Sequence, residues 1–154
     1  MRKHALKGTI PDAGEFRELL RKRSMRATPQ RMAVHEAMSE LVHASADMVF
    51  DHISANASCK VTTASVYNIL SQLTDAGLYS RRMGAGSRMF FDVRPYTHVH
   101  LYDTRNDEFM DVMDEELLEL VTSRMKSKRF KGYKVDRIDI QLVAHPTRKS
   151  KKTV

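Results

Sequence analysis

An α+β architecture in two parts is predicted for this chain by three observations. Helix punctuation and apolar spacings of three and four residues dominate residues 11–77. The period then drops to two on either side of a GAGS turn, as a β-hairpin requires. After Thr97 a strand, strand, helix, strand order follows, with only about 50 residues to build a core. The expected bounds are 1–93 for the first domain, 94–96 for a hinge, 97–144 for the second domain and 145–154 for a basic tail.

In the first helix, PDAGEFRELLRKRS puts Phe16, Leu19 and Leu20 on one stripe, with Arg and Lys elsewhere. Thr28 caps a second, with Pro29 at its first turn, where a missing N–H removes no hydrogen bond, and Met32, Val34 and Met38 run through it. Ser45 begins a third, with Met48, Val49, Ile53 and Ala57 on one side. Thr63 begins a fourth, TASVYNILSQLTDAG, which Gly77 ends as a C′ glycine does.

The fourth helix has the most telling faces. Val66, Ile69, Leu70 and Leu73 make the i, i+3, i+4, i+7 apolar stripe. Ala64, Asn68 and Ser71 point the other way, flanked by Ser65 and Tyr67. A merely solvated face usually carries Lys and Glu, whereas a helix entering the major groove needs short donors and acceptors near its N-terminus; on this pattern alone a surface helix with few charges is an equal alternative. LYSRRM and RMFFDV, joined by glycines that supply the turn conformation, then read as a hairpin. A hairpin directly after such a helix is the winged helix-turn-helix arrangement, with Arg81, Arg82 and Arg88 placed to meet phosphates.

The second unit reads as β-β-α-β. THVHLY and DEFMDV are strands joined at Arg105 and Asn106. EELLELVTSRMKS is a helix with Leu117, Leu120, Val121 and Met125 inward, and KVDRIDIQLVA alternates Val135, Ile138, Ile140 and Leu142 as a half-buried strand. A core that small, with open sheet edges, leaves this unit open to pairing with a second copy.

Hydrophobic residues at 42% are enough for a folded chain, and a net charge of +7 calls for a polyanionic partner, most often nucleic acid. Of the ten methionines, some are expected to fill core gaps or to pack at an interface between subunits. Cys59 is the only cysteine, so neither an intrachain disulfide nor a four-cysteine zinc site can be built, and metal chemistry must use His and carboxylates. The N-terminal segment lacks the apolar core of a signal peptide and no run is long enough for a membrane, so a cytoplasmic protein is expected.

His98 and His100, two apart on a strand, face the same way. Alone, an HxH is more often an exposed coincidence than a site. Asp92 at the end of the wing strand and Asp111 at the end of the next hairpin strand add carboxylates, and Fe(II) or Mn(II) accepts such a mixed set better than tetrahedral zinc does.

RATPQR (Arg26 to Arg31), VHASAD (Val42 to Asp47), TTASVYNILSQLTDAGL and FFDVRPYTHVHLY, in that order, resemble the ferric uptake regulator family over about Phe16 to Val143. The resemblance implies a dimeric bacterial repressor of palindromic double-stranded DNA, with a winged helix-turn-helix domain, a dimerisation domain and a regulatory metal bridging them. The family's bridging ligands fall on His43, Asp92, His98, His100 and Asp111, which implies one divalent metal per subunit, Fe(II) or Mn(II), with Zn(II) as an in vitro substitute. DNA contacts fall on Tyr67 and Asn68, with Ser65 nearby. Arg31 either meets phosphate or is solvated. His4, His35, His52 and His145 match no family role and are expected to be surface or capping residues.

Two family features are missing. The CxxC pairs that hold a structural zinc fall here on Asp103, Asn106, Ala144 and Thr147, and a further metal site falls on Thr97, Val99, Leu118 and Asp136. Neither set is expected to bind. Iron-responsive members typically carry glutamate where Asp111 stands, so the three-histidine, two-aspartate set resembles the peroxide-sensing branch. The cysteine-free C-terminal domain equally resembles the iron-response regulators that sense haem, although Thr97 and Val99 interrupt the histidine run usual there. Competing accounts are a regulator of iron or manganese level, a metal-independent DNA-binding dimer, and a metallohydrolase. The last is disfavoured because five protein ligands leave little room for substrate, and no enzyme is expected.

Overall fold

The computed structural model describes residues 9–56 and 59–148. The calls on His4, on Ala57 and on the tail beyond residue 148 lie outside them. The chain divides into two compact units, Met1–Pro95 and Tyr96–Val154.

In the first unit the order is α1 (Ala13–Lys22), α2 (Pro29–Leu41), β1 (His43–Ala44), α3 (Ala46–Asn56), α4 (Thr63–Asp75), β2 (Ser80–Met83) and β3 (Met89–Asp92). Each helix begins where a side chain satisfies its orphan N–H groups. Asp12 and Glu15 form a capping box on α1, and Thr28 caps α2 with Pro29 in its first turn. Ser45 Oγ accepts from Met48 N at the head of α3. On α4 the cap is Thr62, one residue before the expected Thr63, closed reciprocally by Ser65. Gly77 follows α4 with φ +75°, a conformation that costs an L side chain energy but glycine little.

Phe16, Leu20, Val34, Met38, Val49, Ile53, Val66, Leu70, Leu73 and Phe91 form one core, and Ile69 packs at its margin. The sheet order is β1-β3-β2, with both pairs antiparallel. In the hairpin turn the non-glycine residue Ser87 takes the positive φ (+60°), and neither Gly84 nor Gly86 does. The expectation that glycines supply that conformation is corrected accordingly. Strand β1 was not expected at all: a two-residue strand carries no periodicity to read, and only pairing with β3 defines it.

The second unit holds β4 (Val99–Asp103), β5 (Glu108–Val112), α5 (Glu115–Lys126) and β6 (Ile140–Ala144), in the sheet order β5-β4-β6. Strand β4 pairs antiparallel with β5 and parallel with β6. Tyr102 and Phe109, opposite in register, pack with ring centroids 4.7 Å apart. Two expectations change. The last strand begins only at Ile140, leaving Val135 exposed, and α5 has no buried residue, with Leu120 69% exposed. An amphipathic pattern identifies an apolar face but not what covers it.

Candidate metal centre and nucleic-acid interface

In the first unit the β1–β3 register sets His43 directly opposite Asp92. His43 Nε2 lies 3.3 Å from Asp92 Oδ2, and both side chains are buried. The other Asp92 oxygen, Oδ1, accepts from Arg94 N at 2.8 Å, which fixes the carboxylate's orientation. The approach to His43 is strained. Val42 has φ +63° and ψ −54°, in the γ-turn region, which is rare for a β-branched residue. Its N–H bonds Met38 O at the end of α2, and its carbonyl accepts from Val93 N.

In the second unit β4 and β5 set His100 opposite Asp111. Asp111 Oδ1 lies 2.8 Å from His98 Nε2 and 3.3 Å from His100 Nε2, and the two imidazoles stand 4.1 Å apart by centroid. His98 Nδ1 is 2.8 Å from Tyr96 O. A carbonyl only accepts, so Nδ1 carries the hydrogen, and in the neutral ring Nε2 presents a lone pair. That lone pair faces a carboxylate oxygen, which is also only an acceptor. Two acceptors at this distance require a proton or a cation between them. Donation of the second ring N–H to a backbone carbonyl is moreover how metal-bound histidines are usually oriented. The donor set therefore fits a divalent ion of borderline character.

At the ends of β4 and β6, where the resemblance places cysteine pairs, hydrogen bonds close the structure. Asp103 accepts from the Asn106 side chain and from the backbone N–H groups of Arg105 and Asn106, and Thr104 donates to Ala144 O. The Asn106 amide, with those backbone donors, holds the Asp103 carboxyl below the usual carboxylate range.

The expected nucleic-acid contacts all lie in the first unit. Tyr67 is 43% exposed, its ring held edge-on to Phe91 at 5.9 Å, and Asn68 is exposed on the same side of α4. Ser65 is used locally: its Oγ accepts from Thr62 N and donates to Thr62 O. On the wing, Arg81 pairs with Asp75 at 3.4 Å, Arg82 is half-buried, and Arg88 is exposed over the Phe90 ring. Arg31 reaches from α2 to Gln72 on α4.

Of the histidines outside the ligand set, His52 pairs with Glu40 near the surface and His145 is exposed. His35 corrects the surface expectation. It is buried, stacked on Phe16 at 3.8 Å, with Nδ1 2.8 Å from the Tyr79 hydroxyl and Nε2 2.7 Å from Pro11 O. Burial pushes its pKa below the ordinary value, against the raising effect of the Pro11 hydrogen bond, and burial raises that of Tyr79. Nothing in the apolar spacing of α2 marks His35 as internal, because the pairing partners come from elsewhere in the chain.

Among the described residues no helix is long and apolar enough to cross a membrane. No curated protein sequence matches the chain. Solved structures do. The ferric uptake regulator from Pseudomonas aeruginosa with manganese is 23% identical, with 85% of this chain and 97% of that one covered at a TM-score of 0.68. The Vibrio cholerae ferric uptake regulator is 19% identical over 85% and 99%, also at 0.68. The Campylobacter jejuni peroxide stress regulator is 22% identical over 86% and 97%, at 0.63. All three share the α+β fold described above. The model of the ferric uptake regulator family matches residues 22–142, and the chain belongs to that family of metal-responsive transcription regulators.

Proposed function

We propose that the chain is a homodimeric DNA-binding repressor whose affinity for a palindromic duplex depends on one divalent ion per subunit, Fe(II) or Mn(II), held by His43, Asp92, His98, His100 and Asp111. The observation that carries this reading is His98, whose lone pair faces an acceptor oxygen of Asp111 at 2.8 Å while its other nitrogen is committed to Tyr96 O. Bound there, the ion supplies one positive centre to imidazoles and carboxylates from both units.

The protein's part is to carry those ligands on rigid elements. His43 and Asp92 belong to the sheet that packs against α3, beside the α4 helix that would enter the major groove. His100 and Asp111 face each other on paired strands, and His98 is braced by its own backbone. Sharing ligands between the two units favours a single orientation of α4 in each subunit. Half-sites lie ~34 Å or a multiple apart, so two wrongly oriented helices cannot both engage. Moving such an equilibrium from 1:99 to 99:1 takes ~5.5 kcal/mol of differential affinity, within reach of a multidentate site.

Pairing of two subunits is supported by the apolar surface of the second unit. Of the large apolar side chains exposed among the described residues, Met110, Met113, Leu120, Phe130, Tyr133, Val135, Leu142 and Val143 lie there, against only Tyr67 and Met83 in the first unit. The basic balance of the chain suits a phosphate backbone.

The test is a titration of Mn(II), or of Fe(II) without oxygen, against a palindromic duplex. Affinity should rise with metal and collapse in chelator, whereas affinity that ignores both would leave a metal-independent DNA-binding dimer.

Asp111, rather than glutamate, favours a peroxide-responsive regulator over one of iron or manganese level or of haem. Iron-loaded protein treated with peroxide should then gain one oxygen on a peptide carrying His43 or His98. DNA binding that survives peroxide, with no such gain, would favour the metal-level reading.

A further inference from the structure

Arg31 stands at the third position of α2, and its guanidinium spans two elements. Nη1 donates to Arg26 O at 2.8 Å, ahead of the α2 cap, and Nη2 donates to Gln72 Oε1 at 2.9 Å on α4. A second arginine does similar work one turn further along. Arg23, just past α1, donates from Nε to Ala76 O at 3.1 Å, on the residue that ends α4. Both ties are side-chain bonds from α1 and α2 to the C-terminal turns of α4, more than forty residues away in sequence.

Gln72 lies on the helical stripe that also carries Ser65 and Asn68, at i, i+3 and i+7. The hydrophobic stripe of α4 controls how deeply the helix seats on the core, but packing of aliphatic groups tolerates small rotations and slides. A planar guanidinium with fixed donor directions tolerates them much less. We infer that Arg31 is a positioning residue for DNA reading: through Gln72, and together with Arg23 at Ala76, it sets the rotation of α4 rather than contacting phosphate itself. This rests on the DNA-binding reading above.

The test uses the full-length chain with Mn(II) and two duplexes. One is the duplex that the wild-type protein enriches from a random-sequence library, and the other is a scrambled duplex of equal length. Affinities are measured across a salt series. Gln72→Ala and the charge-conserving Arg31→Lys should each weaken binding to the enriched duplex about tenfold, the effect of losing a charge-assisted hydrogen bond. Neither should change affinity for the scrambled duplex or the slope of log affinity against log salt. The double variant should be no weaker than the worse single one, because both remove the same link.

The opposite pattern overturns the inference. If Arg31 contacts phosphate, Arg31→Lys binds as wild type and Gln72→Ala is silent, while Arg31→Ala weakens both duplexes and reduces the salt slope by about 1. Gln72 is exposed, so its truncation leaves the core intact and decides the matter even where an Arg31 variant folds poorly. A wild-type chain that enriches no duplex removes the DNA-binding reading and this inference with it. A wild-type chain that does enrich one, with variants identical to it, removes only the inference.

Discussion

His98 Nε2 and Asp111 Oδ1 stand 2.8 Å apart, with His98 Nδ1 already given to the Tyr96 carbonyl. If the proposed site is right, each of these two side chains is a ligand that can be removed singly. Asp111→Ala and His98→Ala should each weaken Mn(II) binding by more than ~100-fold, beyond the ~10–100-fold that loss of a supporting partner brings. Calorimetric titration of the metal measures it. Near wild-type affinity in both variants would mean that the ion, if any, is held elsewhere.

His35 gives the first unit a pH dependence independent of metal. Its Nε2 donates to Pro11 O, so Nδ1 accepts from the Tyr79 hydroxyl and the buried ring is neutral. With the folded pKa pushed down, the unfolded chain binds this proton first, below pH ~6.5. The stability contributed by the neutral ring is thus complete above pH ~6.5 and is lost as pH falls below it, by at most ~1.4 kcal/mol per pH unit for one proton. Urea midpoints of the metal-free protein should fall on acidification more steeply for wild type than for His35→Gln. Equal slopes would place the titration in other groups.

The capping box on α4 separates folding from recognition. Thr62→Ala removes the acceptor of Ser65 N and should lower stability by ~1 kcal/mol, read from the denaturation midpoint. Ser65→Glu preserves a capping side chain but adds a negative charge next to Asn68. It should melt close to wild type yet bind duplex DNA about tenfold more weakly, the loss shrinking as salt rises. Unchanged DNA affinity would remove the head of α4 from the interface.

Leu120 and Val143 are each 69% exposed in the single chain, so replacing them leaves its core untouched. In a two-fold dimer each substitution counts twice. Leu120→Asp or Val143→Lys should raise the dimer dissociation constant about 100-fold or more, given ~1.5–3 kcal/mol per buried aliphatic side chain. Sedimentation equilibrium gives the answer, and variants that stay as dimeric as wild type would show that the face is covered by something else.

How much of this could be read from the residues depended on range. Thr28, Pro29 and Gly77 punctuate their helices through contacts a few residues long, and they stand where local chemistry places them. The HxH spacing likewise makes a same-side pair on any strand, although His98 turned out to precede β4 while His100 lies within it. Pairing across the chain was less visible. Strand β1 exists because β3 is there to receive it, and His35 is internal because Tyr79 and Pro11 supply its partners. The apolar residues of α5 were legible as a face but not as an exposed one, since periodicity does not say what lies against a face and none of the described residues buries it.

Val42 ties one of the five proposed ligands, His43, to a strained stretch of backbone. Strand β1 is two residues long and lies at the edge of its sheet, and the residue before it is kept in a backbone conformation worth ~1–3 kcal/mol of strain. If that edge unzips, Val42 relaxes as the pairing with β3 is given up, while the caps and buried stripes of α2, α3 and α4 can stay in place. Fraying of this kind belongs at the low end of a protein's spectrum of local openings. Among the five proposed ligands His43 thus stands on the shortest edge strand, so that its release from an ion should be coupled to relaxation of the backbone at Val42.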